Sequence, residues 1–148
     1  MNELLSEVKQ EDLKNFPILK LHYLALMTLR EEDNEKHYHQ LKKNIERFRK
    51  RISPEELTDL YTLVRNYCIR KINLGNQEFS RELFDLYQRE LELLQQSAVK
   101  ELSPMIYKNI TALAFKLEEY DWTFHFIRDY TQHLPKEYRD SYYNFNMA

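Results

Sequence analysis

Glycine is nearly missing from this chain: a single residue, Gly75, in 148. Tight β-turns depend on backbone at positive φ, which glycine adopts most readily, so an antiparallel β protein is excluded. A glycine-rich phosphate loop is excluded for the same reason. Proline is also scarce, at four residues. The lone cysteine, Cys68, cannot form an intrachain disulfide and fits a reducing compartment. No apolar run approaches the roughly 20 residues that span a bilayer. Residues 1–7 lack the basic start and apolar stretch of a signal peptide. The expected location is therefore cytoplasmic, with no membrane partner. Charge of one sign is missing too: the formal net charge of −2 supplies no global steering field.

What is present is helix-forming. Leu, Glu, Lys, Arg and Gln dominate, and the expected fold class is all-α. Pro17, Pro54 and Pro104 each open an amphipathic run, and Ser53 and Ser103 stand immediately before two of them. Proline at a first helical position loses no hydrogen bond, and serine before it caps the free amides. These signals predict a short N-terminal helix over 2–15. Three pairs then follow: 17–31 with 35–52, 54–74 with 77–96, and 104–119 with 121–134. A last helix begins near Glu137. The joints, at residues 31–34, Gly75-Asn76 and Tyr120-Asp121, are short enough to force antiparallel neighbours. In the helix from Glu35, Tyr38, Leu41, Ile45, Phe48 and Ile52 share one stripe, which must be buried on a neighbour.

The third pair carries a repeat signature. Tyr107, Ile110, Ala114, Tyr120, Phe124, Ile127 and Pro135 alternate bulky, small and turn residues, and Tyr142-Tyr143-Asn144-Phe145 restarts the pattern 35 residues after Tyr107. Leu21, Leu24 and Ala25 fit the same positions in the first pair; Val64, Tyr67 and Cys68 do so more loosely. On these residues the chain resembles the tetratricopeptide-type helical repeats, whose unit is about 34 residues long. Thr111 and Thr123 depart from that pattern, standing where glycine and alanine are usual. A threonine branch there is expected to widen the helix crossing. The resemblance implies antiparallel hairpins stacked as a right-handed αα-superhelix over residues 17–148, after the N-terminal helix of residues 1–16. It also implies a truncated last repeat, as in a fragment of a longer chain. The function it implies is a non-catalytic scaffold that takes a peptide or partner helix in a groove lined by first helices. The candidate groove set is Tyr61, Tyr107, Asn109, Tyr142 and Asn144, of which the resemblance carries over only the asparagines and the abundance of aromatics suggests the tyrosines. The two asparagines stand where the family often places a groove-facing Asn. The tyrosines equally suit inter-repeat packing, with the ring buried and the hydroxyl wet.

Two further surfaces stand out. Residues 36–51 hold seven Lys and Arg against Glu46 alone, a net +6 that leaves −8 for the remainder. Lys36, Lys43, Arg47, Lys50 and Arg51 fall on one helical stripe. It reads either as a surface for a polyanion such as nucleic acid, or as the solvated face of an amphipathic helix. Nucleic acid is the less favoured partner, because the aromatics that would stack on bases lie on the opposite face. Residues 142–148 would expose an apolar end if the repeat array stops there, which makes a homodimer through the C-terminal helix an alternative.

No chemistry-bearing constellation accompanies these surfaces. His37 and His39 point about 200° apart on a helix, and His22, His125 and His133 lack partners at ligand spacing, so no metal or cofactor is expected. Cys68 sits on a core face, where thiols are usually inert. Trp122 reads either as a docking hot spot or as a plug at the hairpin junction. The chain is not expected to be an enzyme.

Overall fold

The computed structural model describes residues 15–31, 33–98 and 100–147, with side chains as far as Ser141. Among these residues there are seven α-helices and no strand. They are α1 (Pro17–Arg30), α2 (Glu35–Phe48), α3 (Pro54–Asn73), α4 (Phe79–Gln95), α5 (Pro104–Lys116), α6 (Tyr120–Tyr130) and α7 (Lys136–Met147). One-turn 3-10 segments, Arg49–Arg51 and Thr131–His133, continue α2 and α6. The helix expected over residues 2–15 falls, but for Asn15, outside the described residues. Contacts gather into two compact units, Met1–Tyr67 and Cys68–Ala148.

The first unit is built on the α1–α2 hairpin. α1 buries Leu21, Leu24, Ala25 and Thr28, and α2 buries Tyr38, Leu41, Asn44 and Ile45. The buried positions are i, i+3, i+4, i+7 in α1 and i, i+3, i+6, i+7 in α2, each one face of an amphipathic helix. Each large apolar side chain removed from water contributes about 1.5–3 kcal/mol. Tyr38 stacks on Tyr67, with ring centroids 4.9 Å apart and planes 12° from parallel. Pro17 opens α1 without a side-chain cap on Phe16. Pro54 opens α3 with one, since the Glu56 amide donates to Ser53 Oγ at 3.2 Å.

The second unit repeats the scheme. α5 buries Tyr107, Ile110, Thr111 and Ala114, the same spacing as in α1, and α6 buries Thr123, Phe126 and Ile127. α4 packs on α5, and α7 packs on both α5 and α6. Arg81 reaches Glu119 at 2.7 Å and Lys116 reaches Gln77 at 2.8 Å, tying the start of α4 to the α5–α6 joint. The connection before α5 is fastened to the end of α6. The Leu102 amide donates to the His133 carbonyl at 2.7 Å, and His133 Nδ1–H donates to the Lys100 carbonyl at 2.8 Å.

The buried threonines hide their hydroxyls in their own helices. Thr28 Oγ1 donates to the Leu24 carbonyl at 2.7 Å, Thr111 to Tyr107 at 2.9 Å and Thr123 to Glu119 at 2.6 Å. Each bond returns one turn along the helix, so none of these three hydroxyls is stranded.

Helix ends differ from expectation in a consistent way. α2 and α6 leave α-geometry at Phe48 and Tyr130, before the predicted ends at 52 and 134. α5 stops at Lys116, and Tyr120 already belongs to α6, so the third joint is 117–119 rather than Tyr120-Asp121. Ile52 and Leu134 are nevertheless buried, at 7% and 1% exposure. Apolar periodicity therefore runs past the last helical residue, because extended backbone can deliver the final side chain to the core. Ser103 precedes α5 as expected but makes no side-chain cap bond.

Candidate functional site

Two tyrosines of the sequence-predicted groove set are committed to the core. Tyr61 and Tyr107 are 1% and 0% exposed, so neither lines an open surface, which corrects the expectation for both. The reason is the length of the side chain: the ring fills the core while the hydroxyl finds a partner at its edge. Tyr61 donates to Glu46 Oε1 at 3.1 Å, and the Tyr107 hydroxyl pairs with Thr131 Oγ1 at 3.0 Å. Asn109 is exposed on α5. The side chains of Tyr142 and Asn144 lie outside the described residues. Lys36, Lys43, Arg47, Lys50 and Arg51 are each exposed. The Arg47 guanidinium lies 5.2 Å from the centroid of the neighbouring Phe48 ring.

The concavity of the second unit lies elsewhere, between the second helices α4 and α6. It encloses about 330 Å³ and is lined by Gln88, Leu91, Glu92 and Gln95 of α4 and by Trp122, His125, Phe126, Asp129 and Tyr130 of α6. That volume is in the range of small-ligand and side-chain pockets. Leu91 and Phe126 are buried and form the floor. Trp122 and Tyr130 are half-buried, while His125, Asp129, Glu92 and Gln95 are exposed at the rim.

An aromatic ladder supports this cleft. Trp122, Phe126 and Tyr130 stand four residues apart, and their rings stack at 5.1 Å (8° between planes) and 5.0 Å (24°). Spacing of four places side chains above one another on a helix. Carbon–carbon contact needs about 3.5 Å between planes, so a 5.1 Å centroid distance implies rings slid sideways by about 3.7 Å. Phe126 is covered by its neighbours, whereas Trp122 and Tyr130, at the two ends of the ladder, keep part of their surface exposed. Phe84 of α4 meets Trp122 edge-to-face at 4.8 Å, and Tyr107 stacks on Phe126 at 5.2 Å, which anchors the ladder from both sides. Trp122 is thus part of the packing and part of the cleft wall.

The charged groups lining the cleft are of one sign, apart from the titratable His125. Glu92 comes from α4 and Asp129 from α6, and no Lys or Arg is among the lining residues. Each carboxylate has an arginine on its own helix: Arg89 Nη1 to Glu92 at 3.4 Å and Arg128 Nε to Asp129 at 2.9 Å. Hydrogen bonding from Arg128 holds the Asp129 carboxyl below its ordinary range, so it is ionised at neutral pH. Both pairs are about half exposed, and solvent-screened pairs of this kind contribute little to stability.

Among the described residues no group of three or more His, Cys, Asp or Glu is placed to hold a metal ion. No helix among them is long and apolar enough to cross a membrane. Cys68 is buried. The ladder was visible in the sequence as an i, i+4, i+8 aromatic series, but its partner wall on α4 was not. In comparisons with known proteins, no family model, no curated protein and no solved structure matches this chain.

Proposed function

We propose that this chain is a non-catalytic interaction module, a tetratricopeptide-like stack of helical hairpins in a right-handed superhelix, that holds a protein segment in the α4–α6 cleft. The observation that carries this reading is the cleft itself, with an apolar floor and polar rim on otherwise well-packed helices. Pockets of that character are the usual seats of partner side chains. The equal spacing of buried residues in α1 and α5 supports the repeat architecture. The proposal moves docking from the first-helix tyrosines to the second helices, because Tyr61 and Tyr107 are committed to the core.

A second reading, polyanion binding through Lys36, Lys43, Arg47, Lys50 and Arg51, is favoured by their common exposure. Photo-crosslinking separates the two. A benzophenone amino acid replacing His125 is expected to give a discrete protein adduct in cells, whereas the same group replacing Lys43 gives none. Nucleic-acid adducts from position 43, with none from position 125, would replace the cleft reading by the polyanion one.

A further inference from the structure

We propose that the α4–α6 cleft selects a planar cation, the guanidinium of an arginine in an extended partner segment; this deepens the docking reading above and rests on it. The argument begins with charge. The two carboxylates that line the cleft, Glu92 and Asp129, come from opposite walls, and neither arginine that pairs with them lines it. A cation seated between the helices therefore meets a carboxylate from each wall, each already paired with an arginine of its own helix. Both pairs are solvent-exposed, so an incoming guanidinium shares or exchanges with Arg89 and Arg128 at the carboxylate oxygens.

Shape and polarisability point the same way. The half-buried Trp122 and Tyr130 present aromatic surface at the wall, and guanidinium groups lie on such rings readily because they are planar and weakly hydrated. Gln88 and Gln95 add amide carbonyls as acceptors for the several N–H donors of the fork. A neutral apolar side chain would use the floor and strand the rim carboxylates in a poorly hydrated contact. An anion would meet Glu92 and Asp129 directly. A lysine ammonium satisfies the charge but not the planar stacking. Arginine alone uses the floor, the wall and the rim together.

The single tryptophan of the chain, Trp122, stands in the wall and reports occupancy. The probe is the blocked tripeptide acetyl-Gly-Arg-Gly-amide, titrated while Trp122 fluorescence is followed with excitation at a wavelength the peptide does not absorb. Saturable binding on the order of 1 mM is expected for so small a ligand. The citrulline peptide, isosteric and uncharged, is expected to bind at least about tenfold more weakly. The double variant Glu92→Gln/Asp129→Asn, whose sites are exposed and whose fold is checked by circular dichroism, should weaken the arginine peptide by a similar factor. Equal binding of the two peptides, an unchanged double variant, or no saturable signal overturns the arginine assignment. If the His125 adduct still forms in that case, the docking reading stands with an uncharged anchor. If the adduct is absent as well, both fall.

Discussion

At the scale of single residues, two joints pose the same backbone problem and solve it differently. Gly75 ends α3 at φ 99°, with the Asn76 amide donating to the Lys71 carbonyl and the Gly75 amide to Ile72. Glu118 ends α5 at φ 61°, with the Glu119 amide donating to Ala114 and the Glu118 amide to Phe115. Both are six-to-one and five-to-two closures around a left-handed residue, for which glycine is suited and a residue with a Cβ is strained. Glu118 also sets a carboxylate at the negative end of a helix dipole. Glu118→Gly should therefore raise unfolding free energy by about 0.5–1 kcal/mol, the relieved strain exceeding glycine's added chain entropy. Gly75→Ala should lower it by about 1 kcal/mol even though the space around the position is open. Urea denaturation of both variants checks the pair; the same sign for both would refute the account. The sequence signalled only half of this, since the lone glycine marks one joint while a glutamate gives no hint of the other.

At the scale of elements, starts were more legible than ends. Pro17, Pro54 and Pro104 mark first turns through a constraint local to one residue, and all three helices begin there. Ends depend on where the next segment must go, which is not local. The 3-10 turns after α2 and α6 illustrate this, because Ile52 and Leu134 continue the apolar register while the backbone has already turned. The candidate site was harder still to read. Trp122, Phe126 and Tyr130 can be counted off α6, but the cleft exists only because Leu91, Gln88 and Glu92 of another helix stand opposite. Of the tyrosines expected in a groove, Tyr61 and Tyr107 were drawn inward, each with a hydroxyl partner within reach. Capping gives a test at this scale. Ser53 accepts a bond from the Glu56 amide and Ser103 accepts none. Ser53→Ala should cost about 1 kcal/mol of stability. Ser103→Ala should stay within about 0.5 kcal/mol. Thermal or chemical unfolding of both variants measures the difference, and equal losses would show that hydrogen bonding is not what separates the two positions.

At the scale of the whole molecule, charge is segregated by sequence. A net +6 over residues 36–51 coexists with an overall −2, and the pI is near 6.2. Such a chain should behave against its net charge. On a phosphocellulose matrix at pH 7.5 and low salt it should be retained, although its net charge is negative. The triple variant Lys43→Gln/Arg47→Gln/Lys50→Gln should pass through, and salt of about 0.15 M, where screening acts within about 8 Å, should weaken the retention of the parent strongly. Because these side chains are exposed, the variant should unfold close to the parent; flow-through of the parent itself would remove the stripe as a working surface.

The clasp between Leu102 and His133 has a consequence for how such a chain can change its length. The main chain arrives at the α5–α6 hairpin and departs from it at two points joined by one hydrogen bond, 2.7 Å long. A segment whose two ends meet can be copied, spliced out or inserted elsewhere with little displacement of what flanks it, as circular permutation and domain insertion exploit. The hairpin is in that sense a cassette. Growth by tandem duplication would need a new clasp, a backbone amide meeting a carbonyl, together with apolar faces that match the helices packed on either side.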